Sequence, residues 1–340
     1  YFKNNPKLLL ILSGSVSSWI EKNILASTGF LGRISIDLLL EELPLHECTA
    51  FWGKYKQHTA AYDMLQIFSI TGGVPRYLEE IYTEQSASNN IQRLGFSKNG
   101  FLFKEFDKIF SDLFDVRSEK YKVIVRKLAY GHATLDEIYT TLDTEKTGVV
   151  TNYVADLIAA GFISRDFTWN IKDGKDSKLS VLRLKDNYLR FYLRYIEPNK
   201  ERIARDTIGV PQQLSSILGL QFENLVLANR KAIYNLLSLN PNNIIVDNPF
   251  FQRKTKRQQG CQIDYMIQTS DSMLYLCEIK FSKDKLGLQV MHEMQEKLAR
   301  LSVPKHFSKR AVLIHVNGIT TDLAEAEFFT KIISFEDLLT

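Results

Sequence analysis

The stretch GCQIDYMIQTSDSMLYLCEIKF, Gly260 to Phe281, decides how the chain is read. It holds two apolar runs, Ile263 to Ile267 and Met273 to Phe281, on either side of the turn formers Thr269, Ser270, Asp271 and Ser272. That pattern predicts two strands joined by a tight turn. Ile263, Tyr265 and Ile267 alternate with Asp264 and Met266, while Glu278 and Lys280, two residues apart, point to one face of the second strand. An acid on one strand beside an acid and an amine on the next is costly to bury unless the groups are paired or do chemistry. Two neighbouring carboxylates repel, and a hard divalent cation with oxygen ligands relieves the repulsion. A lysine beside them orients a water or steadies charge developing on a phosphate. The plainer alternative is a solvated strand face carrying a surface ion pair.

Working outward, GLQFENLV from Gly219 to Val226 places Glu223 on a helix ahead of the strands. With Glu223, Asp264 and Glu278-Ile-Lys280 in that order, the sequence resembles the PD-(D/E)XK nuclease-like superfamily. The resemblance implies a restriction-endonuclease-like α/β domain over residues 204–340. It implies Asp264, Glu278, Lys280 and Glu223 as the catalytic set, with Mg2+ or Mn2+ held by Asp264 and Glu278. Patterning predicts a helix from Gln212 to Leu239, a strand beginning at Ile244 to Val246 and a helix from Gly287 to Leu301 with Val290, Met294, Leu298 and Leu301 inward. A strand from Ala311 to Val316 completes an α-β-β-β-α-β order, and a helix from Leu323 to Phe329 follows it. Gln289 is placed to reach the acidic face. Arg253, Lys254, Lys256 and Arg257 put four basic residues in five positions beside the acids. They suit nucleic-acid backbone contact; a solvated hairpin tip is the alternative.

The 340 residues allow two or three domains, with 45% hydrophobic residues and a mean hydropathy of −0.15. No apolar run reaches the roughly 20 residues that span a bilayer, so no membrane association is expected. Cys48, Cys261 and Cys277 are far apart, which argues for reduced thiols in a cytoplasm rather than a disulfide framework. A net charge of +4 permits nucleic acid as a partner without requiring it. The first residue is Tyr1, and the chain is expected to be a piece of a longer one.

Leu8 to Leu12 reads as a buried strand ending at Ser13-Gly14-Ser15, followed by a helix from Ser17 to Ala26. Leu31-Gly32-Arg33-Ile34, Glu42-Leu43-Pro44-Leu45 and Thr71-Gly72-Gly73-Val74-Pro75 come next. Together these phrases resemble an archaeal-type ATPase family of the AAA+/STAND kind, whose members carry a winged helix and a nuclease-like domain after the ATPase. The resemblance implies a partial ATPase sheet and helical lid over residues 1–115, with Ser13 at a polar sensor position and Arg33 facing a nucleotide in the full-length protein. It also implies a lid turn at Gly72, Gly73 and Pro75. No G-x-x-x-x-G-K-[S/T] occurs in the chain, so ATP belongs only to a longer form.

Phe101 to Phe114 reads as a helix with Leu102, Phe106, Ile109, Phe110 and Leu113 on one side. Helices at Lys120 to Tyr130, Thr134 to Leu142 and Thr147 to Ala160, then strands at Phe162 to Phe167 and Leu179 to Leu184, predict a winged helix over residues 116–203. Lys146, Thr147, Asn152 and Asp156 are its candidate outward residues, and Lys172, Lys175 and Lys178 those of the wing. DNA contact and a packing role are both open at this point. The fold class is thus α/β multidomain. The function expected is that of an ATPase-family protein carrying a metal-dependent nuclease domain that acts on or binds nucleic acid. The alternative is a nucleotide-regulated signalling or assembly ATPase whose nuclease-like domain is an inactive binding module. The oligomeric state is open.

Overall fold

A computed structural model of the chain describes residues 11, 35, 36, 38–114, 118–146, 148–211, 214–256 and 258–340. Side chains at 110–114 and 118 also lie outside what is described. The strand at Leu8, the helix at Ser17, Ser13, Arg33, Thr147 and Arg257 therefore fall outside the described residues, as do the side chains of Phe110 and Leu113.

After short helical turns at Leu45–Cys48 and Thr49–His58 come the longer helices α1 (Ala61–Thr71), α2 (Ala87–Gly95) and α3 (Phe101–Phe114). Two phrases distant in sequence meet at the end of α1. The Leu43 amide donates to the Gly73 carbonyl at 2.8 Å, and the Gly73 amide donates to Glu42 Oε2 at 2.9 Å. Gly72 has φ +58°, a backbone state that suits glycine.

Three helices follow, α4 (Ser118–Leu128), α5 (Leu135–Thr141) and α6 (Gly148–Ala159), then the antiparallel pair β1 (Ile163–Trp169) and β2 (Asp176–Leu184). A capping box, the arrangement that the Thr134-x-x-Glu137 spacing predicts, forms: Thr134 Oγ1 accepts from the Glu137 amide, and Glu137 returns a carboxylate to the Thr134 amide. A single bridge between Ala133 and Leu182 adds a short third strand to the hairpin. Helix α7 (Asn187–Phe191) runs on as a π-helical turn through Ile196.

The expected helix from Gln212 to Leu239 is two helices, α8 (Ser215–Ala228) and α9 (Arg230–Leu236). Asn229 breaks it, with φ −111° and ψ 37°. Its side chain accepts from the Leu45 amide at 2.8 Å and donates to the Leu225 carbonyl at 2.7 Å, so tertiary docking is satisfied where helix continuity is lost.

The last region is a five-stranded mixed sheet of order β3-β4-β5-β6-β7, comprising β3 (Ile244–Gln252), β4 (Cys261–Thr269), β5 (Met273–Lys280), β6 (Ser308–His315) and β7 (Lys331–Ser334). The first three strands are antiparallel and the last three parallel. Helix α10 (Leu288–Arg300) makes the crossover from β5 to β6, and α11 (Thr321–Glu325) that from β6 to β7. Pro249 sits within β3, which is an edge strand and so loses no ladder bond on its open side.

Ile263 does not share a face with Tyr265 and Ile267 as the alternation predicts. Pairing steps from Asn248–Met266 to Phe250–Ile263, so β4 carries one residue more than β3 there. That bulge reverses the phase. Ile263 and Met266 pack with Val290 and Met294 of α10, while Tyr265 and Ile267 join Phe222 of α8 on the other face. The α8 side belongs to one apolar cluster that continues through α4 and α7 to Leu65 and Phe68 of α1. Trp169 and Ile171 of the β1–β2 hairpin join the other cluster.

The hairpin is therefore fastened to the long sheet. Trp169 Nε1 donates to Gln268 Oε1 at 2.7 Å, Gln268 Nε2 donates to the Ile171 carbonyl at 3.0 Å, and Asn248 Nδ2 donates to the Phe167 carbonyl at 3.2 Å. Asp156 is half-buried and accepts from Tyr121 Oη at 2.6 Å. Lys146 is exposed and paired with Asp136 at 2.8 Å, while Lys172, Lys175 and Lys178 remain exposed on the wing.

A candidate acid–lysine site on the sheet

Strand alternation puts Glu278 and Lys280 on the α10 face of β5, opposite Cys277 and Ile279, which face α8. Asp264 is brought alongside by the bulge. The β4–β5 ladder ends at Tyr265–Cys277, and beyond it Asp264 Oδ2 accepts from the Ile279 amide at 2.9 Å. The carboxylate thus takes over a backbone donor that the parting strands leave free.

Glu278 is fully buried at 0% exposure. Lys297 Nζ of α10 lies 2.5 Å from Glu278 Oε2 and 3.7 Å from Asp264 Oδ1, so one ammonium bridges the two acids. Lys280 Nζ lies 3.1 Å from Glu278 Oε1 and 3.0 Å from Glu293 Oε2. Despite that proximity, Glu278 Oε1 has no well-aligned hydrogen-bond donor. Burial, then the Glu278 charge, push the Asp264 carboxyl up to about 6, against the pull of Lys297 and the Ile279 amide. Burial opposes the charge on Lys280, but Glu278 and Glu293 outweigh it and its pKa is raised.

Asp264, Glu278 and Lys280 are thus brought together, and Glu223 stands on α8 within reach of the Asp264 charge. From α8 it also meets His132, whose Nε2 lies 3.7 Å from its Oε1. Burial, then the charge of Asp264, raise Glu223 to about 7, while burial and Arg183 lower His132 to about 4. The neighbours of Glu223 carry the fold. Gln221 Nε2 donates to the Ser69 and Asn187 carbonyls at 2.6 and 2.8 Å, and Asn224 Nδ2 donates to the Leu184 and Lys185 carbonyls at 2.9 and 3.0 Å. Arg183, itself buried, donates to Asp166 at 2.8 Å and to Asn224 Oδ1 at 2.6 Å.

Among the described residues no three His, Cys, Asp or Glu side chains stand close enough to hold a metal ion. The pair Asp264 and Glu278, with the buried Glu278 Oε1 lacking a donor, has the donor chemistry that a hard cation with one or two carboxylates takes.

Lys297 and Glu293 are the site residues that sequence reading missed. They lie four apart beside the apolar stripe of Val290 and Met294, a spacing that otherwise reads as a surface ion pair. Gln289 Nε2 donates to Glu293 Oε1 at 3.2 Å and so attaches to the acid that holds Lys280.

Arg253, Lys254 and Lys256 are exposed between β3 and β4, and none pairs with a described carboxylate. Near them a cleft of about 580 Å³ separates the hairpin from the sheet, lined by Trp169, Lys172, Phe251, Gln252, Arg253 and Ser302 among others. Gln252 Nε2 donates to the Arg300 carbonyl at 2.9 Å, which sets this cleft against the last turn of α10, one turn beyond Lys297.

No family model matches the chain. It is 26% identical over 307 residues to the uncharacterized protein MJECL04 of Methanocaldococcus jannaschii, a match covering 87% of this chain and 65% of that protein. The chain thus spans about two thirds of that relative's length. A crystal structure of protein VC1899 from Vibrio cholerae is similar at 13% identity and a TM-score of 0.30, over 70% of this chain and 53% of that one.

Proposed function

We propose that the five-stranded sheet with α8 and α10 is a nuclease-like unit of the PD-(D/E)XK kind that acts on nucleic acid in a metal-dependent way. The observation that carries this reading is the meeting of Asp264, fully buried Glu278 and Lys280 where β4 and β5 part. Asp264 and Glu278 would hold the divalent ion, which supplies charge neutralisation at a phosphate oxygen when bound. The Ile279 amide fixes the Asp264 carboxylate in place. Lys280 steadies negative charge on the phosphate, and its raised pKa keeps it protonated for that work. Arg253, Lys254, Lys256 and Arg257 take backbone phosphates of the bound strand. The helices α4 to α6 with β1 and β2 are read as a winged helix that packs on this unit, and the preceding helices as a lid of ATPase type. Three buried free thiols support a cytoplasmic location.

One observation favours a second reading. Lys297 already neutralises the acid pair, which suits a nuclease-like module that binds or scaffolds within a nucleotide-regulated signalling or assembly protein. Incubating the 340-residue chain with single-stranded DNA, duplex DNA and RNA, with magnesium and with manganese, separates the two. Cleavage that falls by about 100-fold or more in Asp264→Ala and Lys280→Ala is the expected result. No product from any substrate with either metal overturns the nuclease reading and leaves the binding module.

A further inference from the structure

Helix α10 places two charges over the site. Glu293 and Lys297 are four residues apart and so lie one above the other on the helix face turned to β5. Each meets its opposite: Glu293 lies 3.0 Å from Lys280, and Lys297 lies 2.5 Å from Glu278. We propose that this pair is a displaceable internal mimic of what the site binds. Lys297 stands where a divalent cation joins Asp264 and Glu278, and Glu293 stands on Lys280 where a phosphate oxygen joins it. The inference rests on the metal- and phosphate-binding reading given above.

The physical argument begins with Glu278. A fully buried carboxylate is not left without a cation, because uncompensated buried charge is severely unfavourable. Lys280 stays 3.1 Å from Glu278 Oε1, but the Oε2 side that faces Asp264 is met by Lys297, so that cation is exchanged and not simply withdrawn. Lys297 suits exchange: its ammonium is a point charge on a flexible stem, and its side chain is 25% exposed, so it has a path to solvent. Glu293 is 39% exposed and has the same freedom. The two ion pairs also sit on neighbouring turns of one helix. A cation that releases Lys297 frees a positive charge beside the site, and a phosphate that takes Lys280 releases Glu293. Cation and nucleic acid thereby remove the same cover and favour each other's binding.

Manganese binding by the folded 340-residue chain tests this, read by calorimetry and by thermal melting. Lys297→Met removes the ammonium that bridges Asp264 and Glu278 and is expected to bind Mn2+ about tenfold tighter than the parent or more. It is also expected to melt lower than the parent without metal and to regain more of its melting temperature on adding Mn2+. Lys297→Gln, which keeps a donor for Glu278 without the charge, is run beside it and is expected to show the same tightening. Measurable and equal Mn2+ affinity in the parent and in the folded variants overturns the displacement and leaves the metal reading standing. Absence of Mn2+ binding in all three proteins overturns both.

Discussion

The Gly73 amide donates to Glu42 Oε2 at 2.9 Å, which joins two phrases 31 residues apart in the chain. A methyl group on Gly73 would lie 2.2 Å from the Leu43 carbonyl oxygen, a backbone atom with no freedom to give way. Gly73→Ala is therefore expected to lose about 1–3 kcal/mol through overpacking. The midpoint of denaturant unfolding measures it, and an unchanged midpoint shows that the turn has room to shift.

Arg183 closes the hairpin through Asp166 and ties it to α8 through Asn224. Arg183 and Asp166 are 4% and 3% exposed, and the guanidinium also holds Asn224. Arg183→Met leaves a buried carboxylate without its partner and is expected to destabilise by about 3–5 kcal/mol. Adding Asp166→Asn to it is expected to recover part of that loss. A double variant no more stable than the single one would show that the Asn224 bond, and not the ion pair, dominates.

Glu223 gives a pH signature. Its folded pKa of about 7 is above its ordinary value, so the folded chain keeps a proton that the unfolded chain has already lost. Stability therefore falls as pH rises from about 4.5 to about 7, and the full cost persists above that range. Glu223→Gln does not titrate. It is expected to match the parent near pH 4.5 and to exceed it by on the order of 3 kcal/mol at pH 8. Parallel stability curves for the two proteins across this range contradict the assignment.

The basic tip predicts salt-dependent binding. Duplex affinity should fall steeply with salt. Alanine at Arg253, Lys254, Lys256 and Arg257 together should flatten the log–log slope by about 0.9 for each phosphate that the tip no longer neutralises. Electrophoretic mobility shifts at several salt concentrations read this directly. Equal slopes for variant and parent remove the tip from the interface.

Much of the local structure was legible because its causes are local. The box at Thr134 and Glu137 needs only one turn of helix. The Glu278–Lys280 alternation holds because nothing interrupts β5. The alternation across Ile263 and Tyr265 failed because a bulge is a property of two strands together, and only β3 reveals the extra residue in β4. Asn229 likewise reads as tolerable helix until the Leu45 amide arrives to be satisfied.

The sequence by itself determined the mixed α/β class, the two acid-bearing strands and the pairing of Glu278 with Lys280 on one face, since these follow from side-chain period and turn chemistry. Tertiary structure decided which acids meet. It set Asp264 beside Glu278 through the bulge, paired Glu223 with His132, and supplied Lys297 and Glu293 from the crossover helix. The reason is electrostatic. Burying Glu278 requires a counter-ion within a few ångströms, and the chain can bring one from any element that packs there, at a sequence distance that no local pattern records.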